Sequence, residues 1–340
     1  MNNNRIGVHD SGTVTSNATQ PKKLFWFNEN LLSSLLVQSK PKYNKWQPIG
    51  ITVAGRNGHG DQSNQLHFPN GIYTDDNSTI VISENANHRI VEWKYNSKRG
   101  QTIAGGQGFG SGLNQLHFPL GVTVDKRKNA IIICDSGNYR VVRWFRQSQT
   151  SPQIRISNID CWGVAIDKDG SIYVSNWMKN EVRRLKEGDT FGAIVAGGNG
   201  KGNLRNQLHS PADIFVDKDY SVYVSDSQNH RIMKWKKNAK EGIVVAGGNS
   251  EGNHLNQLHS PHGVIVDNLG QIIIADSQNH RIMLWCEGDT NGSIAVGENG
   301  KGKESNQLND PRSLSFDVER NLYVADSHNH RVQKYELCNE

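Results

Sequence analysis

Residues 242–285 read GIVVAGGNSEGNHLNQLHSPHGVIVDNLGQIIIADSQNHRIMLW, and most of the 340-residue chain is a variation on them. The stretch holds four short apolar runs, Ile243–Ala246, Gly263–Val266, Gln271–Ala275 and Arg281–Trp285, each bounded by Gly, Asn, Asp or Ser. None is long enough for a helix, and each suits a strand. The Asp that closes the second run stands at Asp75, Asp125, Asp167, Asp217, Asp267 and Asp317, at intervals of 50, 42, 50, 50 and 50 residues. A fixed period in this range means stacked units, and units of four short antiparallel strands favour a propeller.

The sixth unit supplies only three runs, Ser313–Asp317, Asn321–Ala325 and Arg331–Tyr335, before the sequence stops at Glu340. A fourth stands at the other end, where GITVAGRN (Gly50–Asn57) matches GIVVAGGN (Gly242–Asn249). The expected fold is all-β: a six-bladed β-propeller of four-stranded antiparallel blades, closed by an N-terminal strand that completes the C-terminal blade. Such closure leaves no unpaired edge in the ring.

DSQNHRIMKW (Asp226–Trp235), DSQNHRIMLW (Asp276–Trp285) and DSHNHRVQKY (Asp326–Tyr335) recur in register with P-x-G-V-x-V-D and Y-V-x-D elements. They resemble the NHL repeat over about Gln47–Leu337. The third unit is degenerate, its SNWMKNEVRRL (Ser175–Leu185) lacking the Asn-His-Arg. The resemblance implies a recognition role, since propellers of this kind form the recognition end of ubiquitin ligases or the sensor portion of bacterial kinases. This chain has neither a RING nor a kinase motif, so an adaptor role would run through partners.

Residues 1–45 carry no repeat and form a basic tail, in which Arg5, Lys22, Lys23, Lys40, Lys42 and Lys45 face Asp10 and Glu29 for a charge of +4. The whole chain is +5, so the propeller over residues 46–340 is near neutral at +1 and no DNA partner is expected. Leu31, Leu32, Leu35 and Leu36 behind Asn28 and Asn30 predict a short amphipathic helix in the tail. No apolar run is long enough to span a membrane as a helix. Cys134, Cys161, Cys286 and Cys338 form no C-x-x-C pair, and Cys134 takes the place of a small residue such as Ser225 or Ala275. These cysteines and the polar N-terminus suggest a cytoplasmic protein. Sequons at Asn17, Asn77 and Asn291 carry little weight in an Asn-rich chain.

Several signals of catalysis dissolve into the repeat. Asp276, Ser277 and His280 invite a triad, yet the same residues recur as Asp226, Ser227 and His230 and as Asp326, Ser327 and His330. A nucleophile needs one pocket, whereas a pattern in every blade is a building rule. The glycine-rich segments from Gly105 and Gly197 lack a following Lys-Ser/Thr and helix, so they read as flexible links between blades rather than phosphate cradles, pinned at their inner ends by Leu66, Leu116, Leu208 and Leu258 of the NQLH segments that follow such links. Eight of the thirteen histidines belong to the repeat, too dispersed for a metal site. No cofactor is expected.

Propellers of this kind also resemble the peptidylglycine amidating lyase, whose zinc-holding histidines begin the innermost strands. The matching residues here are Asn70, Leu120, Trp162, Ala212, His262 and Arg312, of which only His262 fits, and no carboxylate occupies the ring to serve a lactonase. These six differ in every blade while the Pro, Gly and Asp around them repeat, which points to a binding face at the channel mouth. Trp177 and the loop residues His59, Phe109, Lys201, Arg205, His254 and Lys301 would extend it. The expected function is a non-catalytic scaffold that binds a protein or peptide partner there. Single-stranded RNA is the alternative, as the related tripartite-motif propellers imply, but six basic loop residues face six acidic ones. A metal-dependent lyase or lactonase is the third reading.

Overall fold

The computed structural model describes residues 44–146 and 150–338. Most of the basic tail, including the short helix expected around Leu31–Leu36, lies outside them. Six four-stranded antiparallel sheets form the propeller, each an up-and-down meander running from the channel outwards. The runs of the quoted stretch become Ile243–Gly247, the outermost strand of blade 4, and then Val264–Val266, Gln271–Asp276 and Arg281–Cys286, the first three strands of blade 5. Blade 6 takes Pro311–Phe316, Leu322–Asp326 and Arg331–Tyr335, and Ile51–Ala54 completes it with Ile51 opposite Lys334 and Ala54 opposite Val332. Trp46 extends the closure: it bridges to Leu337, stacks on Phe316 with ring centroids 5.8 Å apart, and donates from Nε1 to the Arg320 carbonyl at 3.0 Å.

The unbroken apolar runs follow from burial on two sides. Ile131–Ile133 and Ile272–Ile274 are wholly inaccessible, because each second strand is covered by a neighbouring blade on both faces. Trp93, Trp235 and Trp285 end third strands and are buried as interblade plugs, while Trp144 is half-buried.

The D-S-Q-N-H-R motif is a lock rather than a triad. Asp276 is fully buried; Oδ1 accepts the His259 amide at 2.7 Å, and Oδ2 accepts Asn279 Nδ2 and Arg281 Nε, both at 2.8 Å. Arg281 then donates to the carbonyls of Asn253, His254 and Gln257, tying the incoming loop to the blade. His280 takes a left-handed conformation (φ 56°), and its Nδ1 accepts the Asp310 amide of the next blade at 3.1 Å. His88, His230 and His330 repeat this bond to Phe118, Ser260 and Phe68. In the degenerate third blade Asn180 Oδ1 makes it to Ser210 at 2.8 Å.

Two expectations need correction. The glycine-rich links are braced along their length: beyond the expected anchors Leu66, Leu116, Leu208 and Leu258, which are fully buried as is Leu308, Gln207, Gln257 and Gln307 each donate across their loop to the carbonyls of Asn199, Asn249 and Asn299. A Cβ on Gly252 would collide with Gln257, so glycine here serves a close approach and not freedom of movement. The cysteines also pair. Cys134 and Cys161, both fully buried, form a disulfide. It joins the second strand of blade 2 to the first strand of blade 3, where Ser83 and Ser175 instead hydrogen-bond to the next blade's Leu120 and Ala212 carbonyls. Only residues 158–160 connect these two blades, against 106–118 between blades 1 and 2.

Candidate binding face

The D-S-Q-N-H-R turns, the interblade loops and the starts of the innermost strands share one end of the propeller, and the central channel opens among them. The innermost strands line this channel, whose volume is about 580 Å³. Asn70, Trp162 and Arg312 stand at its mouth. Of the six ring positions, Leu120, Ala212 and His262 are buried, leaving Asn70, Trp162 and Arg312 partly accessible. Trp162 of blade 3 reaches His262 of blade 5, the ring centroids 5.2 Å apart, past the small Ala212 of blade 4. The Arg312 guanidinium lies 6.0 Å from the Trp162 ring.

The charges at the mouth are internally committed. Arg312 is held by the buried carboxylate of Asp310, with Nε at 2.9 Å. Its Nη1 lies 2.8 Å from His262 Nε2, and a guanidinium only donates, so this nitrogen accepts. His262 Nδ1–H therefore donates to Ser277 Oγ at 2.9 Å, and Ser277 donates to the Pro311 carbonyl at 2.6 Å. Burial, followed by the Arg312 charge, holds His262 neutral and well below the usual imidazole range.

Just inside the mouth is a carboxylate beside the ring examined in the sequence. Asp213 follows Ala212 and occupies the place of Gly71, Gly121, Gly163 and Gly263 in other blades. A Cβ on those glycines would come within 2.6 to 2.8 Å of the next blade's backbone. Asp213 lines the channel and reaches Ser313 Oγ of blade 6 at 3.4 Å; its other protein donor is the Ile214 amide at 3.0 Å. Burial raises its pKa to about 7, with those two donors pulling the other way. Its residual exposure faces the channel.

Around the mouth the face is two-sided. Over blades 1 to 3 it carries Phe109, Phe118, Tyr139 and Met178, respectively 69%, 44%, 57% and 57% exposed, with Trp162 and Trp177 half-buried beside them. Phe109 and Phe118 pack with His88 and His117, and His59 packs with His67 and His330 near Phe68. The opposite side, over blades 4 to 6, presents Lys201, Glu251 and Lys301. Arg205 lies toward the flank, where its carbonyl accepts the Gly242 amide at the base of an outermost strand, while His254 is exposed in the next loop with its carbonyl accepting Arg281. The mouth therefore gathers Asn70, Trp162, His262 and Arg312, with Trp177, His59, Phe109, Lys201 and Lys301 farther out. Among the described residues, no three His, Cys, Asp or Glu side chains come together as metal ligands.

The NHL repeat family matches residues 116–144, 258–282 and 308–335, each in phase with a blade. The chain is an NHL-repeat β-propeller. No curated protein matches the NHL propeller. Solved structures similar to it include a protein of unknown function from Bacteroides thetaiotaomicron VPI-5482, at 16% identity and a TM-score of 0.66, covering 87% of this chain and 76% of that one. An auxiliary nutrient binding protein from the same organism has 15% identity, a TM-score of 0.65 and coverage of 87% and 77%. A gluconolactonase from Xanthomonas campestris has 14% identity, a TM-score of 0.60 and coverage of 86% and 99%. At such identities the likeness shows the fold alone.

Two features of the NHL propeller's face escaped the sequence reading although each left a signal. Aligning the P-x-G-V-x-V-D elements shows PADIFVD and PRSLSFD, with Asp213 and Ser313 where glycine otherwise stands. The 42-residue interval marks the shortened connection between blades 2 and 3, residues 158–160, which leads directly into Trp162.

Proposed function

We propose that the protein is a non-catalytic recognition module whose loop face binds a polypeptide, in the manner of an adaptor. The observation that carries the reading is the aromatic arc on one side of the face, with Phe109, Phe118 and Tyr139 exposed and Trp162 and Trp177 half-buried. Aromatic residues, Met and Arg are enriched at protein interfaces, and contiguous exposed apolar surface on a folded chain marks an interaction site. Nutrient binding and lactone chemistry, named for two proteins of similar fold, would use the channel; at its mouth His262, Arg312 and Asp310 are bonded to one another beside Trp162, and among the described residues no three His, Cys, Asp or Glu side chains converge as metal ligands. The balanced charge of the loops favours a polypeptide over RNA.

Selection of a random peptide-display library on the full chain tests the reading, with a single-stranded RNA pool titrated in parallel across rising salt. Enriched peptides carrying aromatic or large apolar residues, with weak RNA binding, are expected. RNA binding with steep salt dependence and no peptide enrichment would overturn it.

The Cys134–Cys161 disulfide bears on location. A buried disulfide favours an oxidising compartment and removes the support that the cysteine pattern lent to a cytoplasmic one.

A further inference from the structure

We infer that Asp213 is the floor of a socket for a basic side chain, a lysine or arginine supplied by the polypeptide partner. The inference rests on the polypeptide reading and names the anchor that the channel accepts. Asp213 is the only carboxylate at the glycine level of the innermost strands. Four of the other five positions at this level are glycines that a Cβ would disrupt, and the fifth is Ser313. The aspartate is thus an exception to the scaffold's own rule, aimed into an open channel.

Its bonding is incomplete. A carboxylate has about four acceptor sites, and the protein supplies one amide at 3.0 Å and one hydroxyl at 3.4 Å. No Lys, Arg or His among the described residues forms an ion pair with it. The nearest mouth cation, Arg312, is committed to Asp310 and His262. The missing partner is therefore a cationic donor that the described residues do not supply. An anion would meet a like charge at this point, and an apolar group would leave the carboxylate without a partner.

The walls suit a long cationic side chain. Asp213 Oδ1 lies 2.8 Å from where a Cβ would stand on Gly163, the residue after Trp162, so the carboxylate sits directly inside the tryptophan at the mouth. The exposed face of Trp162 offers an apolar surface for the stem and a cation–π contact for the head. Lys and Arg both carry flexible stems that place a charge beyond an apolar stretch. The aromatic arc outside would hold the flanking residues of the partner, and the socket would set its register.

The test uses the full chain, the peptides enriched by display, and two small probes, Nα-acetyl-lysine methylamide and its isosteric norleucine counterpart. The variants are Asp213→Gly, which restores the residue of four other blades, and Asp213→Asn, which keeps the shape should the glycine variant fail to fold. Above neutral pH, peptide affinity is expected to fall about ten-fold or more in both variants, and likewise when one Lys or Arg of the peptide becomes norleucine. The lysine probe should outcompete the norleucine probe on the unaltered chain alone. Peptides that bind the variants and the unaltered chain equally would overturn the socket and leave the polypeptide reading standing. Binding of the lysine probe that depends on Asp213, with no peptide enriched, would uphold the socket and overturn that reading.

Discussion

Asp276 and His280 stand four residues apart and do opposite things with charge. The carboxylate of Asp276 is buried against the Arg281 guanidinium and collects two further donors. Removing one partner of a buried ion pair leaves the other uncompensated, so Asp276→Ala is expected to lower the unfolding free energy by roughly 3 to 5 kcal/mol in a denaturant titration. Blade 3 respects this logic: with Asn176 at the Asp position, Glu181 replaces the Arg and pairs with Arg183 at 2.6 Å. His280 must stay unprotonated at Nδ1 to accept the Asp310 amide, and burial with the nearby Lys301 lowers its pKa. As pH falls below the ordinary imidazole value of about 6.5, the unfolded chain takes up a proton that the folded chain resists, and stability is lost. His280→Asn, the residue that makes the same bond in blade 3, should match the parent's melting temperature above pH 7 and exceed it near pH 5. Equal melting temperatures at both pH values would remove the role.

Asp213 has the opposite linkage. Its folded pKa of about 7 lies above the ordinary carboxylate value of about 3.9, so the native state keeps a proton that the unfolded chain has lost. Its contribution to stability is complete below about pH 4 and declines as pH rises through about 7. Asp213→Asn cannot titrate. It should gain stability relative to the parent as pH rises over that window, with a constant difference above it; a pH-independent difference would show that the carboxyl is not desolvated.

At the scale of strands and loops, the blade 2 to blade 3 junction departs furthest from the pattern. It lacks the long loop with its buried leucine, and a disulfide takes the place of the Ser-to-carbonyl bond. For the 27-residue separation, chain-entropy reasoning assigns the crosslink roughly 3 to 4 kcal/mol. Denaturant unfolding with and without a thiol reductant should differ by that amount. Cys134→Ser with Cys161→Pro, which writes the common residues back into the junction, should recover part of the loss; no effect of reductant on the parent would contradict the crosslink. The strands themselves were legible because interblade burial imposes continuous apolar runs bounded by turn residues. The disulfide was not, since Cys134 and Cys161 lie on different blades and meet only through packing of one second strand on the next first strand. The loops misled because glycine signals both freedom and close approach, and only the position of Gln257 over Gly252 separates the two.

For the molecule as a whole, closure joins residues 51–54 to 331–335, and Trp46 adds its stack on Phe316. Deleting residues 44–55 should expose the edge of Arg331–Tyr335 and yield oligomers by size exclusion, with a lowered melting temperature. A monomer with unchanged melting would refute the closure. Blade number and closure were written in the repeat, because a ring scaffold repeats its instructions once per blade. The face was legible only in outline. Trp162, Arg312 and Phe109 stood out as departures, but burial removed Leu120 and Ala212 from the surface and Arg205 lies toward the flank. A periodic sequence says which positions vary, and side-chain packing decides which of those meet a partner.

The most direct test of polypeptide recognition by the aromatic arc is the dissociation constant of one display-enriched peptide for the full chain and for its Phe109→Ala and Trp162→Ala variants. Phe109 is mostly exposed and its truncation leaves the core intact, whereas Trp162 also packs on the buried cluster around Leu120, Cys161 and Val164, so its variant is read against its own melting temperature. The expected result is about ten-fold or greater weakening for Trp162→Ala with a lowered melting temperature that still leaves the chain folded at the assay temperature, and a smaller loss for Phe109→Ala with unchanged melting. Affinities indistinguishable from the parent in both variants would contradict the arc as the binding surface.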